Sequence, residues 1–278
     1  MRCKFILIGI AAMMVMVAGA GYVSAAVTVE GLTQLTTDSA KDGNPVWSPT
    51  GDEIVFWRNA DIYKVSSDGS HETQLTSNTN NEGRYKWSPD NTKIIYDKDN
   101  TNGWFDVWIM NADGSLQTDL TNNPQSLYCV WSPDGTKIAY VHGSDCDQPL
   151  DLTIMNPDGS NKQILATGQP SHGTLIAWSP DASKIAFSSG VAGSRGIRVV
   201  NADGTNLIVI ASGDIMTQTQ SWQTQVWSPD GLRIVYHSDE AGNYDIYTTN
   251  VNGTGKTQLT TDTSDDRHAY FSPDPTFR

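Results

Sequence analysis

The sequence predicts an all-β protein, a β-propeller of four-stranded antiparallel blades with five full blades and an incomplete sixth. Three observations carry that prediction. A phrase of the form Trp-Ser-Pro-Asp-Gly recurs along the whole chain. Short spans rich in Ile, Val and Tyr alternate apolar and polar residues on either side of it. The breaks between those spans carry turn residues at fixed places.

The phrase starts at Trp47, Trp87, Trp131, Trp178, Trp227 and, with Phe in place of Trp, at Phe271; the intervals are 40, 44, 47, 49 and 44 residues. A period in this range marks a repeat architecture. In the third unit the four spans are SLYCVWSP (126–133), TKIAYVH (136–142), LDLTIMN (150–156) and KQILAT (162–167). Their period-two alternation makes them strands, here termed a to d. Pro133-Asp134-Gly135 closes the a–b turn, with Pro fixing φ and Gly accepting a positive one. The c–d turns are Asp68-Gly69, Asp113-Gly114, Asp158-Gly159, Asp203-Gly204 and Asn252-Gly253, all tight-hairpin dipeptides. A lone meander cannot bury both faces, whereas a ring of them can, so the repeated Trp is expected to fill the layer between blades.

These units, WSPDGTKIAY followed by DVWIMNADGSLQTDLT in kind, resemble the WD40-like repeat of TolB-type propellers from Leu32 to Pro275. The resemblance implies a propeller fold and protein–protein scaffolding in the cell envelope. Related blades also occur in propeller domains of prolyl oligopeptidase-like enzymes. TolB-type proteins carry an α/β domain before the propeller, and here only a few residues separate the leader from the first repeat. The span GLTQLT (31–36) matches the d-strand text at Thr73–Thr76 and Thr257–Thr260, so the sixth blade is expected to pair this d strand with the a strand at Phe271.

Ahead of the repeats, Arg2 and Lys4 precede an apolar run from Phe5 to about Ala20 and small residues at Val23-Ser24-Ala25-Ala26. That is the layout of a secretory signal over residues 1–25, leaving a propeller over residues 27–278 in the periplasm or outside the cell. The apolar centre is short for a spanning helix, so membrane attachment is expected only if the signal stays uncleaved. The formal net charge is −13, and loss of the leader, which carries two bases and no acid, makes it two units more negative. Such a chain repels phosphate backbones, so nucleic acid is not an expected partner. Cys129 and Cys146 leave two alternatives open, a disulfide or two unpaired thiols.

The a–b and c–d turns are nearly uniform, whereas the d–a and b–c loops vary, and recognition is expected on the variable side. Trp57 with Arg58 and Trp104 with Phe105 are placed in b–c loops, and Trp222 in a long d–a loop. Residues three before each repeated Trp sit near the channel mouth, among them Arg84, Tyr128 and His268. Aromatic and Arg residues of this kind anchor proteins or sugars. Acids such as Asp42, Asp97 and Asp99 share these loops, which predicts a negative face and a cationic partner. No pattern calls for a metal or cofactor: DKDNTNGWFD (97–106) misses the calcium-loop spacing, and the histidines show no paired spacing. Asp61, Asp106, Asp151 and Asp245 recur at the start of strand c, which argues for a repeat-level hydrogen bond rather than an acid–base pair. The expected function is therefore a non-catalytic, monomeric binding module for a protein or cell-envelope polymer. The alternatives are a polysaccharide-acting enzyme with its site at the channel mouth and a structural surface protein.

Overall fold

The computed structural model describes residues 33–77, 81–100, 104–122, 125–143, 150–169, 176–189, 196–212, 226–267 and 269–272. Within them the chain forms five antiparallel sheets in sequence order. The first holds β1 (Asp42–Trp47), β2 (Glu53–Arg58), β3 (Asp61–Ser66) and β4 (Thr73–Gln74). The second holds β5 (Glu82–Trp87), β6 (Lys93–Asp99), β7 (Phe105–Asn111) and β8 (Thr118–Asp119). The third holds β9 (Ser126–Trp131), β10 (Ile138–His142), β11 (Leu150–Met155) and β12 (Gln163–Gln169). The fourth holds β13 (Ile176–Trp178), β14 (Lys184–Ser189), β15 (Gly196–Asn201) and β16 (Ile208–Ser212). The fifth holds β17 (Arg233–Ser238), β18 (Asp245–Asn250) and β19 (Thr257–Gln258), with a single bridge from Trp227 to Ile234 where the others have an a strand.

One register runs through all five blades. The repeated Trp faces an Ile of strand b in the pairs Trp47–Ile54, Trp87–Ile94, Trp131–Ile138, Trp178–Ile185 and Trp227–Ile234. The a–b turn fixes it. In the third blade Ser132 Oγ donates to Asp134 Oδ1 at 2.6 Å and accepts from Lys137 N at 2.9 Å, while Asp134 accepts from Thr136 N at 3.0 Å. The same Ser–Asp clasp recurs at Ser88, Ser179 and Ser228. A second clasp ties strand c to strand d: Thr121 Oγ1 donates to Asp106 Oδ1 at 3.2 Å and accepts from Val107 N at 3.0 Å. Thr76 with Asp61 and Thr260 with Asp245 repeat it, so the recurring Asp is a strand-joining acceptor.

The core lies between blades, not within them. Val55, Ile62 and Leu75 of the first blade pack with Tyr85, Trp87 and Tyr96 of the second. Ile95 and Leu120 of the second meet Cys129, Ile138 and Met155 of the third, and equivalent layers follow behind Trp178 and Trp227. Each Trp thus plugs into the preceding blade, and Trp227 Nε1 also donates to Ala177 O at 2.9 Å. Trp87, Trp178 and Trp227 are 7%, 6% and 4% exposed, but Trp47 is 44% exposed.

That exception marks where the ring stands open. A Cβ built on Gly69 meets Leu35 O at 3.3 Å, just as one on Gly159 meets Leu120 O at 3.1 Å, so Leu35 occupies the d-strand place of a blade before the first. It packs on Ile54, Phe56 and Val65 as the sequence match of GLTQLT anticipates. Its expected a-strand partner is not seen: residues 269–272 form no strand, and among the described residues the sheets do not close. No helix among the described residues is long and apolar enough to cross a membrane, and the proposed signal lies outside them.

The c–d turns are the tightest contacts between blades. A Cβ at Gly114, where φ is +84°, would lie 2.9 Å from Leu75 O, whereas one at Gly51, φ +77°, would meet nothing within 4 Å. Both substitutions to Ala force a strained φ, but only the first also pushes two backbones apart. Chemical denaturation of the full chain should show Gly51→Ala costing about 1 kcal/mol and Gly114→Ala about 3 kcal/mol. Equal losses would mean that the interface yields freely at this point.

Candidate functional site

Strands β1, β5 and β9 each slip register just before the repeated Trp, so that two residues oppose one on strand b. The residue at the slip takes a left-handed backbone: Asn44 at φ 56°, Arg84 at 49° and Tyr128 at 60°. Asn tolerates that region, whereas Arg and Tyr adopt it at a cost of about 1 kcal/mol or more. The strain is held by Asp97 on β6, which is fully buried. Its carboxylate accepts from Tyr128 N at 3.0 Å, Cys129 Sγ at 3.2 Å and Arg84 Nη1 at 3.3 Å. One side chain of the second blade therefore holds the bulged backbone of β9 and the Arg84 side chain at the bulge of β5.

Around this carboxylate the Arg84 guanidinium lies 4.4 Å from the Tyr128 ring centre and 5.7 Å from that of Phe105. Its side chain is 34% exposed. Burial works against the Arg84 charge, but the neighbouring Asp97 more than offsets it and holds the group above its ordinary value. Burial pushes the Asp97 carboxyl up, opposed by Arg84, the Tyr128 amide and the thiol. Burial, reinforced by the Asp97 charge, pushes the Cys129 thiol well above its usual range. Cys129 is a free, buried and protonated thiol, with no thiolate to act as a nucleophile. Its expected partner Cys146 lies outside the described residues. Lys86, two residues along β5, is partly buried and close enough for its charge to act on Cys129. Burial lowers its pKa to about 8. Among the described residues no carboxylate pairs with it.

Of the residues singled out in the sequence, Arg84, Phe105 and Tyr128 come together here, and Trp104, half-buried, adjoins Phe105. Trp57 stands one blade away, in β2 rather than in a loop, half-buried and packed over Gly43. Arg58 requires a correction. Instead of an exposed anchor it is 4% exposed. Its Nε and Nη2 donate to Asp42 at 2.6 and 2.9 Å, and Nη1 and Nη2 donate to Glu72 at 2.5 and 3.2 Å. The rings of Phe56 and Tyr63 lie 5.1 and 4.9 Å away, so Arg58 is a strut of the first blade. Trp222 and His268 lie outside the described residues.

Two of the acids expected on the negative face, Asp42 and Asp97, are instead turned inward onto arginines, whereas Asp38, Glu240 and Asp265 are exposed. With Asp97 so engaged, the DKDNTNGWFD segment does not offer that carboxylate to a cation. Among the described residues no three His, Cys, Asp or Glu side chains converge as metal ligands. Sequence reasoning missed Lys86, although a signal existed. The residue before the repeated Trp is Val46, Val130, Ala177 or Val226 in the other full blades, and a Lys in that apolar column stands out.

Comparison with known proteins gives a consistent fold. Residues 57–226 match the TolB beta propeller domain, and residues 17–86 match the dipeptidyl peptidase IV N-terminal region. No curated protein sequence matches the chain. A structure assigned as TolB from Agrobacterium tumefaciens superposes with a TM-score of 0.61 at 20% identity, covering 83% of this chain and 84% of that one. An oligogalacturonate lyase from Vibrio parahaemolyticus gives 0.62 at 16% identity, covering 84% and 69%. Dipeptidyl peptidase 4 from Porphyromonas gingivalis gives 0.65 at 15% identity, covering 88% of this chain but 42% of that one. At these identities the likeness is one of fold alone.

The lowered pKa of Lys86 makes a pH prediction. A folded-state value near 8 against an ordinary 10.5 means that, between those values, the unfolded chain binds the extra proton, so stability rises with pH across that window. Below pH 8 the full penalty for the buried charge is present. Thermal melts from pH 7 to 9.5 should show Lys86→Met more stable than the parent at pH 7, with the gap closing as pH rises. A gap independent of pH would mean that Lys86 is not charged and buried at neutrality.

Proposed function

From the premise that the chain belongs to the TolB beta propeller domain family, shown by the match over residues 57–226, we propose that it is a non-catalytic binding module working outside the cytoplasm. It engages a protein or cell-envelope polymer through the variable side of the propeller. The observation that carries this reading is the Arg84 guanidinium set between the Tyr128 and Phe105 rings and tethered by the buried Asp97. Planar, partly exposed cation–aromatic groups on a rigid support are the usual composition of a binding hot spot. The strained backbone at both Arg84 and Tyr128 supports the same reading, since such strain collects where recognition needs a fixed shape.

A second reading, an enzyme acting on acidic polysaccharide, is favoured by one feature. Arg84 and Lys86 present two cations on one inner strand, which suits a uronate carboxylate, and the fold is shared with an oligogalacturonate lyase. The binding reading is preferred because the groups around Arg84 hold and orient rather than transfer protons: the thiol is kept neutral and the carboxylate is committed to Arg84.

The test is a fluorescence titration of the full chain, using its own tryptophans, against panels of envelope proteins and polysaccharides. A saturable change is expected, weakened by Arg84→Ala or Tyr128→Ala by about 2 kcal/mol, on the order of thirtyfold. Lys64→Ala, which removes only the Lys64–Glu53 ion pair at 2.8 Å, should leave it unchanged. Saturable binding indifferent to both site variants would move the site elsewhere, and product release from a polysaccharide would establish the enzyme reading.

A further inference from the structure

We infer that the inner-strand site takes a single carboxylate presented by a neutral or basic peptide segment of a partner protein, with Arg84 and Lys86 as its two cationic contacts. This rests on the binding-module reading and names the chemistry of its ligand. Arg84 and Lys86 lie two residues apart on β5; Asp97 pairs with Arg84, and among the described residues no carboxylate pairs with Lys86. Arg84 spends only Nη1 on Asp97 among the described residues, and an Arg has five N–H donors in a planar fork suited to a carboxylate. Lys86 spends none on any described residue. A cation left unpartnered in a partly buried place is costly, and an incoming carboxylate relieves that cost while gaining a charge-assisted hydrogen bond.

The rest of the molecule selects which carboxylate. The chain as a whole carries a net charge of −13. A polyuronate would bring a row of further anions against that acidic surface, and their repulsion would work against the contact at Arg84 and Lys86. A peptide can place one carboxylate in the site and neutral or basic residues outside it, where the net negative charge of the chain favours them. The Phe105 and Tyr128 rings beside Arg84 then cover the aliphatic part of an Asp or Glu side chain. The cationic partner expected from composition and the anionic group demanded by the site become two parts of one ligand.

The experiment is selection of a random heptapeptide display library on the full chain, followed by sequencing of the enriched pool. Selected peptides should carry one Asp or Glu, flanked by Lys or Arg, and replacing that acid by its amide should weaken binding at least tenfold. Selection on Lys86→Met, a variant whose fold is checked by its melt, should lose the preference for the acid. Polygalacturonate should compete more weakly than the best peptide and more weakly still at low salt. An enriched pool without acids, or one unchanged by Lys86→Met, overturns the inference while leaving the binding-module reading intact. Tighter binding of polygalacturonate than of any peptide overturns it in favour of the polymer. A library that yields no enrichment on a chain that passes the envelope-panel titration overturns it as well.

Discussion

Everything in this protein depends on one contact made again and again, the repeated tryptophan of one blade seated in the face of the blade before it. A four-stranded meander has two faces and too few residues to bury either alone, so its stability is borrowed from its neighbours. The register that puts each Trp opposite an Ile of strand b, the Ser–Asp clasp that sets the a–b turn and the close approach of the c–d turn glycine to the preceding d strand all serve that contact. Its failure at Trp47 shows the dependence from the other side. With no closed neighbour on that side among the described residues, a side chain that is buried at Trp87, Trp178 and Trp227 and partly buried at Trp131 is left nearly half exposed at Trp47.

This dependence decides what could be read from the sequence. The repeat phrase, the strand alternation and the turn dipeptides are local, and every blade needs the same ones, so the architecture and the d-strand placement of Leu35 were legible without coordinates. The fate of the charged side chains was not. Arg58 finds its carboxylates 16 and 14 residues away in sequence, and Asp97 finds the Tyr128 amide 31 residues away on the next blade. Charge composition treats such groups as solvated, and only the pairing of strands within a blade, for Arg58, and the stacking of blades, for Asp97, reveals that they are paired and buried. Arg84, Phe105 and Tyr128 could be singled out one by one, but their meeting is a property of the bulges and of Asp97. Lys86 lay between the two cases, visible once the repeats are compared column by column, since a column that is apolar in the other full blades has no structural need for an amine.

The site and the scaffold are therefore separable in one respect and joined in another. The blades would stack equally well with Val at Lys86 or Asn at Arg84, as the first blade shows with Val46 and Asn44 in those places. The residues proposed to bind occupy positions that the fold leaves open. Yet Asp97 belongs to both, because its carboxylate completes the backbone hydrogen bonding of the β9 bulge while it aims the guanidinium.

That double role has a kinetic consequence. Arg84 and the Tyr128 backbone are held by a carboxylate with no exposure to water, so the surface proposed for recognition is assembled in the free chain. A ligand meets a preorganised site and gives up little conformational entropy on the protein side. Encounter is then governed by diffusion and charge, and differences among ligands are expressed in how long each stays. The strained bulge, a cost to the blade, shortens no residence time; it fixes in advance the geometry that a tightly held partner has to match.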